Sequence, residues 1–149
     1  MREILFKAKR KGFEWVEGYL LREKDTFGTV TTEIYQIRGN GQFRQCDVDP
    51  KTVSEYTGKR DSDGRKIFEN DIARVHSYYL NESYIAVVKF GEYGDGFRNN
   101  KGNIGFYIEF YCDKNGIFRQ DFGYWLEACK VEVIGNIFDN PELVEDYNE

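Results

Sequence analysis

Four side chains in this 149-residue chain have the donor chemistry for a zinc ion: Cys46, Cys112, Cys129 and the single histidine, His76. Structural zinc sites draw ligand pairs from short spacings that put both donors on one loop, and no two of these residues stand that close. The thiols are therefore expected to be reduced and packed as small hydrophobes, and no cofactor is expected. Calcium loops fail at their end positions. With Gly64 as the loop glycine, Lys59 and Asn70 fall at the first and last ligand positions; with Gly116, Tyr111 and Phe122 do. Gly39-Asn40-Gly41-Gln42-Phe43 runs into Arg44 where a dinucleotide loop requires glycine, and Gly58-Lys59 lacks the upstream glycine of a phosphate loop. One histidine and no nucleophile elbow leave little scope for a serine or cysteine triad, so covalent catalysis is not expected.

Two carboxylate pairs and two basic clusters remain. Asp47 and Asp49 would share one face of a strand, and Glu69 and Asp71 flank a tight turn. Either pair has the ligand type for magnesium or for trading a proton, the basis of a cryptic metal-dependent hydrolase, although strand ends and turns carry acids routinely. For Asp71 the structural role is the stronger reading, because an aspartate directly after a turn accepts backbone N–H bonds and pins it. Asp61, Gly64, Asn70 and Asp71 are accordingly read as turn residues. Basic side chains gather at Lys7, Lys9, Arg10, Lys11 and at Lys59, Arg60, Arg65, Lys66, and a third group sets Tyr93 and Phe97 beside Arg98 and Lys101. Rings beside cations are what single-stranded nucleic acid uses for stacking and phosphate contact. Lys9, Arg10, Lys11, Lys59, Arg60, Arg65, Lys66, Tyr93, Phe97 and Arg98 are thus the candidate contacts. The net charge of −5 works against that role, and the other aromatics are expected mainly in the core.

The elements that must position these residues are strands. Ile4, Phe6 and Ala8 alternate with Leu5, Lys7 and Lys9, and after Lys11-Gly12 a second run from Phe13 to Leu21 carries Trp15, Tyr19 and Leu21. Beyond a polar loop, Glu23 to Thr29, the β-branched run Val30 to Ile37 leads through Gly39-Asn40-Gly41 into a hairpin to Phe43. Asp49-Pro50 has the form of a helix start, but Thr52, Val53, Tyr56 and Thr57 prefer strand, and strand is the expectation for 49–58. Two short extended pieces surround Glu69-Asn70, and Tyr84 to Phe90 reads as a buried strand. Residues 91–105, with five glycines, read as a long loop; Ile104 to Cys112 and Ile117 onward read as a hairpin around Asp113-Lys114-Asn115-Gly116. Val131 to Phe138 is a last strand, and Asn140-Pro141-Glu142 begins a short helix over Leu143 and Val144.

The run Val48 to Val75, with Asp-Pro, Thr-Val-Ser-Glu-Tyr-Thr-Gly, Asp-Ser-Asp-Gly and Lys-Ile-Phe-Glu-Asn-Asp-Ile in succession, resembles the YopX family of phage and prophage proteins. The tail Val133-Ile134-Gly135-Asn136-Ile137-Phe138-Asp139-Asn140-Pro141-Glu142-Leu143 and the opening Ile-Leu-Phe-Lys-Ala-Lys strand, followed by Trp15-Val16 and Gly18-Tyr19, are similar to that family's ends. Asn70 departs from the glycine expected there, a change the left-handed region tolerates. The resemblance implies a β-rich phage-related protein and no particular catalytic residue.

The expected fold is all-β and mostly antiparallel, eight to ten strands closing as a barrel or packing as two sheets, with very little helix. One domain over 1–149 is expected, with room for two lobes at about 1–80 and 81–149. The opening Met-Arg-Glu-Ile-Leu-Phe-Lys turns charged after three apolar residues and no apolar run is long enough to span a bilayer, so a cytoplasmic location without membrane contact is expected. The function expected first is a non-enzymatic accessory protein that binds itself, as a homo-oligomer, or a host or phage protein. A nucleic-acid-binding β-barrel comes second, and the metal-dependent hydrolase third.

Overall fold

The computed structural model describes residues 1–12, 14–94, 102–111 and 120–145. Of these, 58% lie in strands and 11% in helices, and the strands form two antiparallel sheets, as the alternating apolar patterns require. Neither sheet closes into a barrel. Both have distinct end strands, and the chain divides into two compact units, Met1–Gly58 and Lys59–Glu149.

In the first unit β1 (Phe6–Lys9), β2 (Trp15–Lys24), β3 (Val30–Ile37) and β4 (Phe43–Asp47) follow one another as neighbours, and β5 (Ser54–Arg60) pairs on the other side of β1. Registers Ala8↔Val16, Leu20↔Ile34 and Ile34↔Cys46 place one side chain from each strand on the same face. These residues, with Val48, Phe6 and Val53, form the unit's apolar core. Gly18 is required in β2, because a Cβ there would lie 2.1 Å from the Tyr35 carbonyl oxygen. The segment expected as strand over 49–58 begins otherwise: Asp49 caps a short 3-10 helix, Pro50–Thr52, by accepting from the Lys51 N–H, and strand resumes at Ser54. Both local preferences are met because the proline turn takes only three residues. The polar loop is also shorter than expected, since β2 runs on to Lys24 through cross-strand pairs with Thr31 and Val30.

In the second unit β6 (Lys66–Phe68) follows the turn after β5, and a four-stranded sheet is built from β7 (Asp71–Ser77), β8 (Glu82–Tyr93), β9 (Asn103–Phe110) and β10 (Cys129–Asn136) in the order β10-β7-β8-β9. Its inner face presents Ala73, Val75, Ala86, Val88, Ile108 and Val131 to helix α1 (Phe122–Ala128), which inserts Phe122 and Trp125. From Phe122 on that helix corrects the expected hairpin strand, whose first residues, 117–119, lie outside the described residues. Phe122, Trp125 and Leu126 sit at i, i+3 and i+4, one helical face, and tertiary packing outweighs the modest helix propensity of the aromatics. A terminal helix α2 (Glu142–Glu145) follows Asn140-Pro141 as expected. The long loop expected over 91–105 is shorter at both ends, because Gly91 pairs with Gly105 and Tyr93 with Asn103, and Phe90–Phe106 and Tyr93–Tyr107 ring contacts support the ribbon. The turn at Asp113–Gly116 lies outside the described residues. No helix among the described residues is long and apolar enough to cross a membrane.

Candidate functional site

The residues read as turn-formers are assembled as the local chemistry demands. Asn70 takes φ 72°, and the Asp71 carboxylate, 1% exposed, accepts the Phe68 N–H at 2.8 Å across the turn. Asp61, 6% exposed, accepts the N–H groups of Asp63 and Arg65 through Oδ1, both at 2.9 Å, and that of Val133 on β10 through Oδ2 at 3.0 Å. Gly64 supplies the positive φ that closes this turn. Ser62 adds a reciprocal pair with Val131, so the turn lies along β10 and satisfies backbone groups there. Asp49 serves as a helix cap beyond the end of β4, Asp71 as a turn pin, and the described residues contain no cluster of three or more His, Cys, Asp or Glu side chains suited to a metal. Cys46 and Cys129 are buried free thiols; Cys112 lies outside the described residues. Burial pushes the Cys129 thiol up, opposed by a hydrogen bond with Ser77.

The nucleic-acid candidates are spread over both units. Lys9, Arg10 and Lys11 form the β1–β2 turn of the first unit, where with Gly12 and Asp49 they line a hollow of about 400 Å³. Arg10 is committed to Glu14 at 2.5 Å, Arg44 reaches the same carboxylate at 3.4 Å, and these guanidinium groups hold Glu14 below the usual carboxylate range. Lys7 sits over the Trp15 ring, 5.0 Å from its centroid. Lys59, Arg60, Arg65 and Lys66 belong to the second unit, at the end of β5, in the turn to β6 and at the start of β6, and Arg60 donates to the Gly64 carbonyl at 2.8 Å. Tyr93 stacks on Tyr107 with ring centroids 5.7 Å apart. Phe97, Arg98 and Lys101 lie outside the described residues.

The aromatics depart from expectation. Only Tyr56, Phe68, Phe122 and Trp125 are buried among the described ones, while Tyr19, Phe27, Phe43, Tyr78, Tyr79, Phe90 and Tyr124 are exposed. In the first unit the exposed rings are organised. Tyr19 lies opposite Tyr35, and Ile37 opposite Phe43, on the sheet face turned away from Ile34 and Cys46. Tyr35 and Phe43 touch, with ring centroids 5.9 Å apart, while Ile37 and Phe43 stay 68% and 67% exposed. This apolar strip runs out to β4, the end strand of its sheet. Its residues Phe43–Asp47 make ladder pairs with β3 on one side, and no backbone hydrogen bond on the other among the described residues. In the second unit, by contrast, the end strands are dressed by local segments: the Asp61–Arg65 turn on β10, and on β9 the Ile108 N–H bond to Gln120 and the Tyr107–Asp121 bridge.

The model of the YopX family, described as YopX protein, matches residues 6–145. The chain belongs to the YopX family. The match spans the β1 strand through α2, so every strand and helix described for both units of this YopX-family chain lies within it. A search of curated proteins finds no match. The basic and acidic clusters of the sequence do not point to Tyr19, Tyr35, Ile37 and Phe43, which only the sheet brings together. Their odd-numbered spacing within β2, β3 and β4 was the available clue, since it places them on one face.

Proposed function

We propose that this YopX-family chain is a non-enzymatic binding protein of phage or prophage origin that works through protein contacts in the cytoplasm, and that its first partner is a second copy of itself. The observation that carries this reading is the β4 edge, unpaired among the described residues and bordered by exposed Ile37 and Phe43, in a protein whose four-stranded sheet has local segments bonded to both of its end strands. Antiparallel pairing of β4 with its symmetry mate about Gln45 would set Phe43 against Asp47 and Arg44 against Cys46, so no like charges meet. A nucleic-acid role draws less support, because Arg10 and Arg44 are held by Glu14 and Arg60 by a backbone carbonyl.

Sedimentation velocity over a micromolar concentration series tests the proposal. The native chain should show a reversible monomer–dimer equilibrium, and Ile37→Lys/Phe43→Lys, altered at exposed positions, should remain folded and monomeric. A native chain that stays monomeric, or a double variant that dimerises equally well, would rule out self-association through β4.

A further inference from the structure

The outward face of β7, β8 and β10 carries a cluster that the reading above does not use. Register places Lys130, His76 and Ser83 in one row across the three strands, and Glu132, Arg74 and Ile85 in the next. Residues two apart on a strand share a face, so all six project away from the inner-face residues Ala73, Val75 and Val131. Arg74, His76, Ser83, Lys130 and Glu132 line a hollow of about 220 Å³, and all five belong to the second unit. That volume falls below the roughly 300–1,000 Å³ of sites for drug-sized ligands, so it suits one small charged group.

The donor set is rich and incompletely used. Arg74 makes no side-chain hydrogen bond or ion pair among the described residues. His76 Nδ1 lies 2.8 Å from Ser83 Oγ. If the ring donates, the hydroxyl proton is left for a ligand; if the hydroxyl donates, the other ring nitrogen carries a proton instead. Lys130 Nζ contacts Glu132 Oε1 at 2.8 Å. That contact raises the lysine and lowers the glutamate from their ordinary values, with weaker effects from Asp63 on the lysine and Arg74 on the glutamate. Among the described residues Glu132 is the one carboxylate lining the hollow, against two fixed cations and a histidine. A tetrahedral oxyanion matches this set: guanidinium binds two of its oxygens in a planar fork, and ammonium and hydroxyl or imidazole donors take the rest.

We propose that this hollow binds a phosphoryl dianion, free or as the head of a small ester, gripped by Arg74, with the His76–Ser83 pair donating and Lys130 exchanging Glu132 for the ligand. Glu132 then acts as an internal competitor that holds Lys130 in place when no ligand is bound.

The full-length protein titrated with inorganic phosphate, followed by amide chemical shifts, tests this. Saturable shifts should centre on β7, β8 and β10, with a dissociation constant on the order of 1 mM, as fits a small, open site. Arg74→Ala should weaken binding about tenfold or more, and Arg74→Lys, which keeps charge but loses the fork, should fall between. Glu132→Gln should tighten binding, a sign that a merely structural Lys130–Glu132 pair would not produce. Arg22→Ala, on β2 of the first unit, should change nothing. A parallel titration with O-phosphoserine separates the sources: tighter binding than phosphate indicates an ester head, and equal or weaker binding indicates the free anion. Failure to saturate, an unchanged constant in folded Arg74→Ala, or weaker binding by Glu132→Gln would overturn the proposal. Because the readout is confined to the second unit, it is independent of whether β4 self-associates.

Discussion

Replacing Asp61 by alanine removes the acceptor of three backbone N–H groups at once. They are not equivalent. The donors of Asp63 and Arg65 lie in an exposed turn and regain water when the carboxylate goes, so each should cost little more than the net worth of one hydrogen bond, about 0.5–1.5 kcal/mol. The Val133 N–H sits on β10 in a half-buried position, and losing the Asp61 carboxylate as its acceptor costs about 1–3 kcal/mol. The total expected loss is about 2–4 kcal/mol, since water relieves part of the sum. For a chain of this size that corresponds to a fall in Tm of roughly 5–15 °C. Asp61→Asn keeps one carbonyl oxygen and should lose about half as much. The two tryptophans make the assay unit-specific, because Trp125 packs in the second unit's core, 4.9 Å from the Phe110 ring, while Trp15 is in the first unit. In a Trp15→Phe background the fluorescence melt of Trp125 should shift by the stated amount. A shift below about 0.5 kcal/mol, the level of an ordinary surface change, would refute the claim that Asp61 fastens its turn to β10.

Other expectations follow from single positions. Asn70→Gly should be neutral or stabilising by a few tenths of a kcal/mol, and Asn70→Val should cost about 1–2 kcal/mol through left-handed strain, both read by chemical denaturation; equal stabilities would disprove the strain argument. Asp71→Ala should cost about 1–3 kcal/mol by leaving the Phe68 N–H without its carboxylate, and an unchanged melt would remove the pinning role. Gly18→Ala should destabilise the first unit by more than about 2 kcal/mol, because its methyl would overlap the Tyr35 carbonyl; a native-like Trp15 melt in a Trp125→Phe background would contradict this. In a Cys112→Ser background, Cys46 and Cys129 should react with a thiol reagent at pH 8 only on unfolding, since both are buried and burial raises the Cys129 thiol. The sign follows from that direction: a raised thiol favours the folded state fully below the unfolded value, and the benefit is lost as pH rises through the folded one. Prompt reaction in the folded protein would refute the packing.

The sequence by itself determined what depends on a few neighbouring residues. Asp61-Ser62-Asp63-Gly64 and Glu69-Asn70-Asp71 carry their own turn chemistry in side-chain acceptors and positive-φ residues, and the alternation in Val30 to Ile37 sets strand and facing without reference to the rest of the chain. Asp49-Pro50 announced a helix start and Thr52 onward a strand, and both formed because each signal acts over only a few residues. Tertiary structure decided the rest. Phe122, Trp125 and Leu126 are helical because a sheet offers one face to cover, a fact residing in Val75, Val88 and Val131 and not in the segment itself. Whether an aromatic is core or surface depends on which face of its strand another element covers, and for Tyr19, Ile37 and Phe43 nothing local announces that theirs is open. The hollow of Arg74, His76, Ser83, Lys130 and Glu132 joins residues more than fifty positions apart in the chain, and only the pairing of β10 with β7 brings their charges within reach of one another.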